Sequence, residues 1–189
     1  MYGIEILEKE HDNIIRFNQV VRKMCILLMQ GQDPDIADLY SLVDFGRNYA
    51  DKQHHGKEEK ILFDRMLKEM GPLADKLIRN GMLVEHDLGR LHMKQLEEAI
   101  TAYKEEASLD AKLDIIMNAS GYVDLLNRHI EKENTVVYTF AQKQLKPEVL
   151  TDVNEQTEVF EKEAAQQGVQ EKYLALLAEL ERKYGQEIK

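Results

Sequence analysis

The chain has 189 residues, enough for one domain with a sizeable core and a short appendage. Its 35 acidic and 25 basic residues give a formal net charge of -10, which repels polyanions and argues against nucleic acid or an anionic membrane as the main partner. A single cysteine excludes a disulfide or a cysteine-built zinc or iron–sulfur site within one chain, and the scarcity of proline and glycine favours helix throughout.

Ile4, Leu7, His11, Ile14, Asn18, Val21, Cys25 and Leu28 recur at alternating spacings of three and four, the inward seam of a packed helix. His11 lies inside that seam, and Cys25 reads as core. Gly31-Gln32-Asp33-Pro34 ends the helix, with Asp33 able to cap the next one and Pro34 able to open its first turn. The second helix carries Leu39, Leu42/Val43, Gly46, Ala50, His54, Glu58, Ile61/Leu62 and Arg65 on one face and stops at Gly71-Pro72. His55 instead continues back to polar Asp51, Lys52 and Asn48.

After a short helical piece from Leu73 to Asn80, Gly81 marks a break or kink, and a third helix begins near Met82. Its seam reads His86, Gly89, Met93, Leu96, Ile100 and Tyr103, with His92 on the flank beside Leu88 and Gln95 as a surface or outer position. Ser108-Leu109-Asp110 caps a fourth helix whose inner side reads Leu113, Ile116, Tyr122, Leu125/Leu126, His129, Glu133, Val136/Val137 and Phe140, and Lys146-Pro147 ends it. Two shorter amphipathic patterns follow, Val149 through Phe160 and then Tyr173, Leu176/Leu177, Leu180 and Tyr184, predicting helices packed on the outside. The fold class is all-α.

The chemistry concentrates in two copies of one spacing, His54-His55-Gly56-Lys57-Glu58-Glu59 and His129-Ile130-Glu131-Lys132-Glu133. Residues four apart on a helix stack one turn above each other, about 5–6 Å between Cβ atoms, so a His and a Glu at that spacing can offer nitrogen and oxygen to one ion. Each copy is followed at the same offset by an apolar pair, Ile61-Leu62 and Val136-Val137, which selects His54 with Glu58 over His55 with Glu59. The latter remain the alternate pair, or hydrogen-bond partners that orient ligands. Four helices thus each carry one seam histidine, His11, His54, His86 and His129, and buried carboxylates at Glu58 and Glu133 require a compensating cation. Such donors suit iron, manganese or zinc. A ferritin-like arrangement would want Glu-x-x-His on two helices, and only Glu8-x-x-His11 has that spacing. The start of the chain has no basic stretch followed by an apolar run, and no apolar run approaches the length of a membrane span, so a cytoplasmic protein is expected.

Glu10-His11-Asp12, His54-His55-Gly56-Lys57-Glu58-Glu59 with Leu62-Phe63, Glu85-His86-Asp87-Leu88-Gly89-Arg90 and His129-Ile130-Glu131-Lys132-Glu133 resemble the four helices of the hemerythrin-like, or HHE cation-binding, family. The resemblance covers roughly residues 1–145. It implies an antiparallel up-down four-helix bundle over residues 1–147, a C-terminal helical extension over residues 148–189, and a non-haem di-iron centre. His11, His54, His86 and His129 would be terminal ligands, and Glu58 and Glu133 would bridge the irons. Oxygen-carrying members have a second His on the third helix one turn after the first, where this chain has Arg90, and an Asp five residues after the His of the fourth, where it has Asn134. The paired His-x-x-x-Glu motifs also resemble di-iron proteins of iron–sulfur cluster repair and nitric oxide stress, without the N-terminal Cys segment those often carry.

Four functions follow as expectations. One is a module that binds or senses oxygen or nitric oxide; another is redox catalysis, such as a peroxidase or reductase, with Tyr40, Tyr49, Tyr122 or Tyr138 beside the metals. The others are iron donation to damaged clusters through a redox or iron–sulfur partner, and an interaction protein with a vestigial site. Homo-oligomerisation is compatible with all of them.

Overall fold

The computed structural model describes residues 1–185, so the last four residues of the expected extension lie outside it. Its described residues are helical with short connections. Helix α1 is Tyr2–Met29. Helix α2 covers residues 36–69, α3 residues 71–105 and α4 residues 109–144; each is a continuous rod of α-helical segments joined through π turns. Helix α5 is Pro147–Gln166 and α6 is Val169–Tyr184. Helices α1 to α4 form a closed ring in which α1 packs on α2 and α4, and α3 packs on α2 and α4. Helix α5 lies against α1 and α2, and α6 against α1, α2 and α5. No described helix is long and apolar enough to cross a membrane.

Local chemistry explains the boundaries. Asp35, rather than Asp33, caps α2, its carboxylate accepting from the amides of Ala37 and Asp38. Asp33 instead accepts from Tyr103 and Lys112. Gly71 takes φ +71°, a left-handed conformation open to glycine, and Pro72 follows at the first turn of α3. Ser108 caps α4 by accepting from the amide of Ala111. The expected break at Gly81 is a π turn over Ile78–Met82, and the rod continues through it.

Two faces differ from the spacing-based expectation. Phe63 and Met66 point inward while Arg65 reaches out to Asp152, because the wide turn Glu58–Leu62 rotates the following face. In α4 the buried seam is Ala111, Ile115, Ala119, Tyr122, Leu126 and His129, leaving Leu113 and Val136 exposed. Small alanines complete the N-terminal half of that seam, so apolar size alone misplaced it there, while Tyr122, Leu126, His129, Glu133 and Val137 are buried as expected.

Packing divides the bundle along its axis. One core joins Phe17, Leu42, Phe45, Leu96, Ile115 and Leu126 with Leu177 of α6; Phe17 and Phe45 stack 4.2 Å apart. The other joins Ile4, Leu62, Phe63, Ile78 and Val137 with Val153 of α5. A layer of buried polar side chains lies between them: Glu10, His11, residues 53–55 and 57–58, His86, His129 and Glu133. Ile115→Ala should destabilise the protein by about 2–5 kcal/mol, while Leu113→Ala should stay within about 0.5 kcal/mol. Urea unfolding of the two variants checks the seam of α4.

Candidate metal centre

The polar layer brings together all six of the histidines and carboxylates singled out in the sequence and adds His55. Two groups of ligand atoms lie within 4.8 Å of one another: His11, His54, Glu58 and Glu133 form one, and His55, His86, His129 and Glu58 form the other. Glu58 belongs to both. Glu133 also faces both, with Oε2 at 3.2 Å from His11 Nε2 and 3.1 Å from His129 Nε2, and Oε1 at 3.8 Å from His86 Nε2.

His55 enters because the backbone of α2 is π-helical over Gly46–His55. Neighbouring side chains on an α-helix diverge by about 100°, which sent His55 to the polar flank in an ideal-helix reading. In the wider turns His54 and His55 both point inward, and the His55 ring stacks on His86 with centroids 3.8 Å apart. Further π turns carry Glu58 and Glu133. A fifth imidazole therefore comes from α2, whereas α3 carries Arg90 one turn after His86. His92 joins neither group; it packs over Gly121 of α4, 3.5 Å from Asn118.

Every inward histidine is held by its other ring nitrogen. Nδ1 of His11 bonds Asn134 at 2.7 Å, that of His54 bonds Glu10 at 3.0 Å, and that of His55 bonds Asp51 at 3.3 Å. Nδ1 of His86 bonds Glu59 at 2.7 Å and that of His129 bonds Glu85 at 2.9 Å. With these nitrogens donating, a neutral ring at each position presents its Nε2 lone pair inward, the tautomer metal ligation requires. Glu59 thus serves as an orienting partner. Sequence reasoning passed over Glu10, Asp51, Glu85 and Asn134 as outer partners; the one-turn spacing of Asp51 to His55 was the available signal, whereas Glu10, Glu85 and Asn134 hold histidines of other helices.

Electrostatics keep Asp51, Glu59 and Glu85 charged and the His54 and His55 rings neutral. At His129, Glu133 and Glu85 outweigh burial and raise the ring to about 9, and at Glu10 burial outweighs Lys57 and raises the carboxyl to about 7. Burial alone would raise Glu59 and Asp51, but hydrogen bonds from His86 and Arg90 to Glu59, and from His55 and Arg90 to Asp51, bring both to about 2. The His129 bond, outweighing burial and helped by Lys132, brings Glu85 to about 2. Burial, reinforced by the neighbouring histidines, drives His54 well below the usual imidazole range and His55 to about 3. Burial and then the Glu133 carboxylate push Glu58 well above the usual carboxylate range, while His129, His11 and His86 overcome burial to hold Glu133 low.

The residues fit a bound cation. Glu58 Oε2, both Glu133 oxygens, and Nε2 of His86 and His129 are buried without a hydrogen-bond partner. Nε2 of His54 faces Nε2 of His11 at 2.8 Å, two lone pairs directed at one another. Among the described residues, the ion-pair partners of Glu58 and Glu133 are imidazoles, with no lysine or arginine. Such orphaned groups are costly unless something positive joins them. Tyr138 satisfies one remaining atom, donating to Glu58 Oε1 at 2.6 Å while its ring stacks over His11. Tyr49 accepts from Asn13 and Tyr40 meets Thr101, both away from the ligand atoms.

Fold and site together define an all-helical protein whose core carries a His/Glu group able to hold metal. A family model described as the hemerythrin HHE cation-binding domain matches residues 2–141, and the chain belongs to that family. No curated protein and no solved structure matches it significantly.

The outer carboxylates predict an acid dependence. Glu59 and Glu85, near 2 when folded against about 4.3 unfolded, bind fewer protons in the folded chain. Their stabilisation is present above about pH 5 and is lost as pH falls toward 2. Glu85→Gln should flatten that loss in urea midpoints of the metal-free protein measured across the acidic range.

Proposed function

We propose that the protein is a hemerythrin-like di-iron protein that binds or senses oxygen or nitric oxide. The observation that carries this reading is the pairing of the ligand groups: five Nδ1-anchored imidazoles in sets of two and three around a carboxylate, Glu58, common to both. Two adjacent ions bridged by carboxylates suit that division, imidazole and carboxylate donors suit iron, and a di-iron centre is what the family resemblance implies. Manganese is the nearest substitute. His11 and His54 would hold one ion, His55, His86 and His129 the other, and Glu58 and Glu133 would bridge.

When bound, a pair of irons supplies reversible electron transfer and a coordination position for a diatomic ligand. The chain's residues supply the rest. An ion held by His11 and His54 would have fewer imidazole donors than one held by His55, His86 and His129 and would take a small ligand more readily. Tyr138 holds Glu58 by donating to Oε1, and its hydroxyl lies 3.5 Å from His11 Nε2, within reach of the two-imidazole side. The apolar cores on either side exclude bulk water. A cavity of about 320 Å³ lined by Gly46, His55, Gly89, Met93 and Tyr122 offers small molecules a way toward the cluster from the other side. No flavin or nucleotide motif is evident to deliver electrons for turnover, which favours binding over catalysis.

A second reading, a peroxidase-type reductase, draws on Tyr138, whose hydroxyl is close enough to the cluster to donate an electron and a proton. Iron donation or cluster repair requires a partner surface and labile iron. The protein is expected to work in the cytoplasm, with residues 148–189 as an extension of the metal-binding bundle.

Anaerobically purified protein should contain about two irons per chain and show an optical band on oxygen or nitric oxide addition that disappears on degassing. Irreversible oxidation would favour the redox reading, and stoichiometric zinc or no metal would overturn the di-iron proposal. Glu58→Ala and His129→Ala should each lower metal content, the loss of an oriented ligand weakening affinity by at least about 10–100-fold. Unchanged content in both would overturn the ligand assignment.

A further inference from the structure

The partner of His54 is unlike the other orienting groups. Asp51 and Glu59 are backed by Arg90, and Glu85 by Lys132, cations at the surface. Glu10 is buried and is backed by Lys57, whose side chain is 1% exposed. The Lys57 ammonium bonds both Glu10 Oε1 and Glu161 Oε1. Glu161 lies on α5, outside the stretch matched by the family. It is fixed in turn by Gln53, donating at 2.9 Å to Oε1, and by Gln170 of α6, donating at 2.8 Å to Oε2. The Phe160 ring, 5.7 Å from Nζ, covers the ammonium. Residues 53–58 are consequently buried on every side, the bundle covering one side and α5 the other.

A buried ammonium between two carboxylates is poor evidence for stability, since apolar packing of the same volume does as well or better. What this one accomplishes is continuity. An unbroken line of charged contacts runs from the C-terminal extension through Glu161, Lys57 and Glu10 to Nδ1 of His54. We propose that these three residues are a positioning relay by which α5 sets the ligand strength of His54, so that docking of the extension and occupancy of the His11/His54 position are coupled. The inference rests on the metal reading above. Glu161 shares the ammonium with Glu10; without it the ammonium turns wholly to Glu10, whose carboxylate then holds the His54 N–H less strongly, and Nε2 becomes a weaker donor. Coupling of this kind is reciprocal: an ion at His54 tightens α5, and release of α5 loosens the ion.

The test uses full-length protein loaded anaerobically with ferrous iron and challenged with a ferrous chelator. Glu161→Gln should speed loss of one iron roughly three- to ten-fold and Lys57→Met roughly 10–100-fold, the range for removing a ligand's orienting partner. Glu158→Gln, on an exposed face of α5, should change nothing. Iron loading should slow amide hydrogen exchange across residues 157–165 in the parent and not in Glu161→Gln. In metal-free protein, Glu161→Gln should move the ring nitrogen resonances of His54 and leave those of His86 in place. In Glu161→Gln, iron release at the parent's rate together with the parent's slowing of exchange on iron loading overturns the relay even if Lys57→Met folds poorly. A parent that takes up no metal overturns the preceding reading instead, and the His54 resonance then decides the relay by itself.

Discussion

Two carboxylates, Glu58 and Glu133, lie side by side in the middle of the bundle with no accessible surface and, among the described residues, no lysine or arginine paired with them. Like charges in a medium of low polarisability repel strongly and are not relieved by water. The rest of the layer answers that constraint. Five imidazoles direct Nε2 toward the carboxylates, and although Glu133 raises His129 to about 9, the donor set as a whole is better matched to a cation than to the bare protein. A site that sacrifices stability in this way needs support elsewhere, and the apolar cores above and below supply it.

Backbone geometry adjusts to the same demand. Ordinary α-helices could bring one side chain per turn from each of four rods, enough for four histidines and two glutamates. Adding His55 beside His54 takes a widened turn, and π turns occur where α2 and α4 carry His54, His55, Glu58 and Glu133. Three of the four described π stretches carry these buried His and Glu residues, the pattern seen where π turns serve function, while the fourth, Ile78–Met82, carries none of them.

Around the imidazoles stands a second ring of groups, Glu10, Asp51, Glu59, Glu85 and Asn134, that fixes tautomer and ring orientation. Arg90 and Lys132 beyond them help keep Asp51, Glu59 and Glu85 ionised, whereas burial outweighs Lys57 at Glu10 and raises it to about 7. Most of this outer ring reaches the surface within the four-helix bundle, but at Glu10 it runs inward through Lys57 to the C-terminal extension. Helix α5 is thereby part of the site's electrostatic surroundings as well as a cover over α1 and α2.

Much of this was legible in the sequence because it is local. Three-and-four spacing marked the helices, the glycine and proline junctions marked most ends, and two His-x-x-x-Glu motifs with seam histidines at 11 and 86 marked six residues that the fold gathers into one buried layer. Recognition of the family rested on those same local motifs, and the match over residues 2–141 agrees with it. Other features depended on neighbours distant in the chain. The inward turn of His55, the outward turn of Arg65 toward Asp152, the alanine-lined seam of α4, and the burial of Lys57 between Glu10 and Glu161 cannot be read from an ideal helix of 3.6 residues per turn. Periodicity determines which residues can share a face; only the packed neighbours decide how far the backbone departs from that period and which charges are brought together.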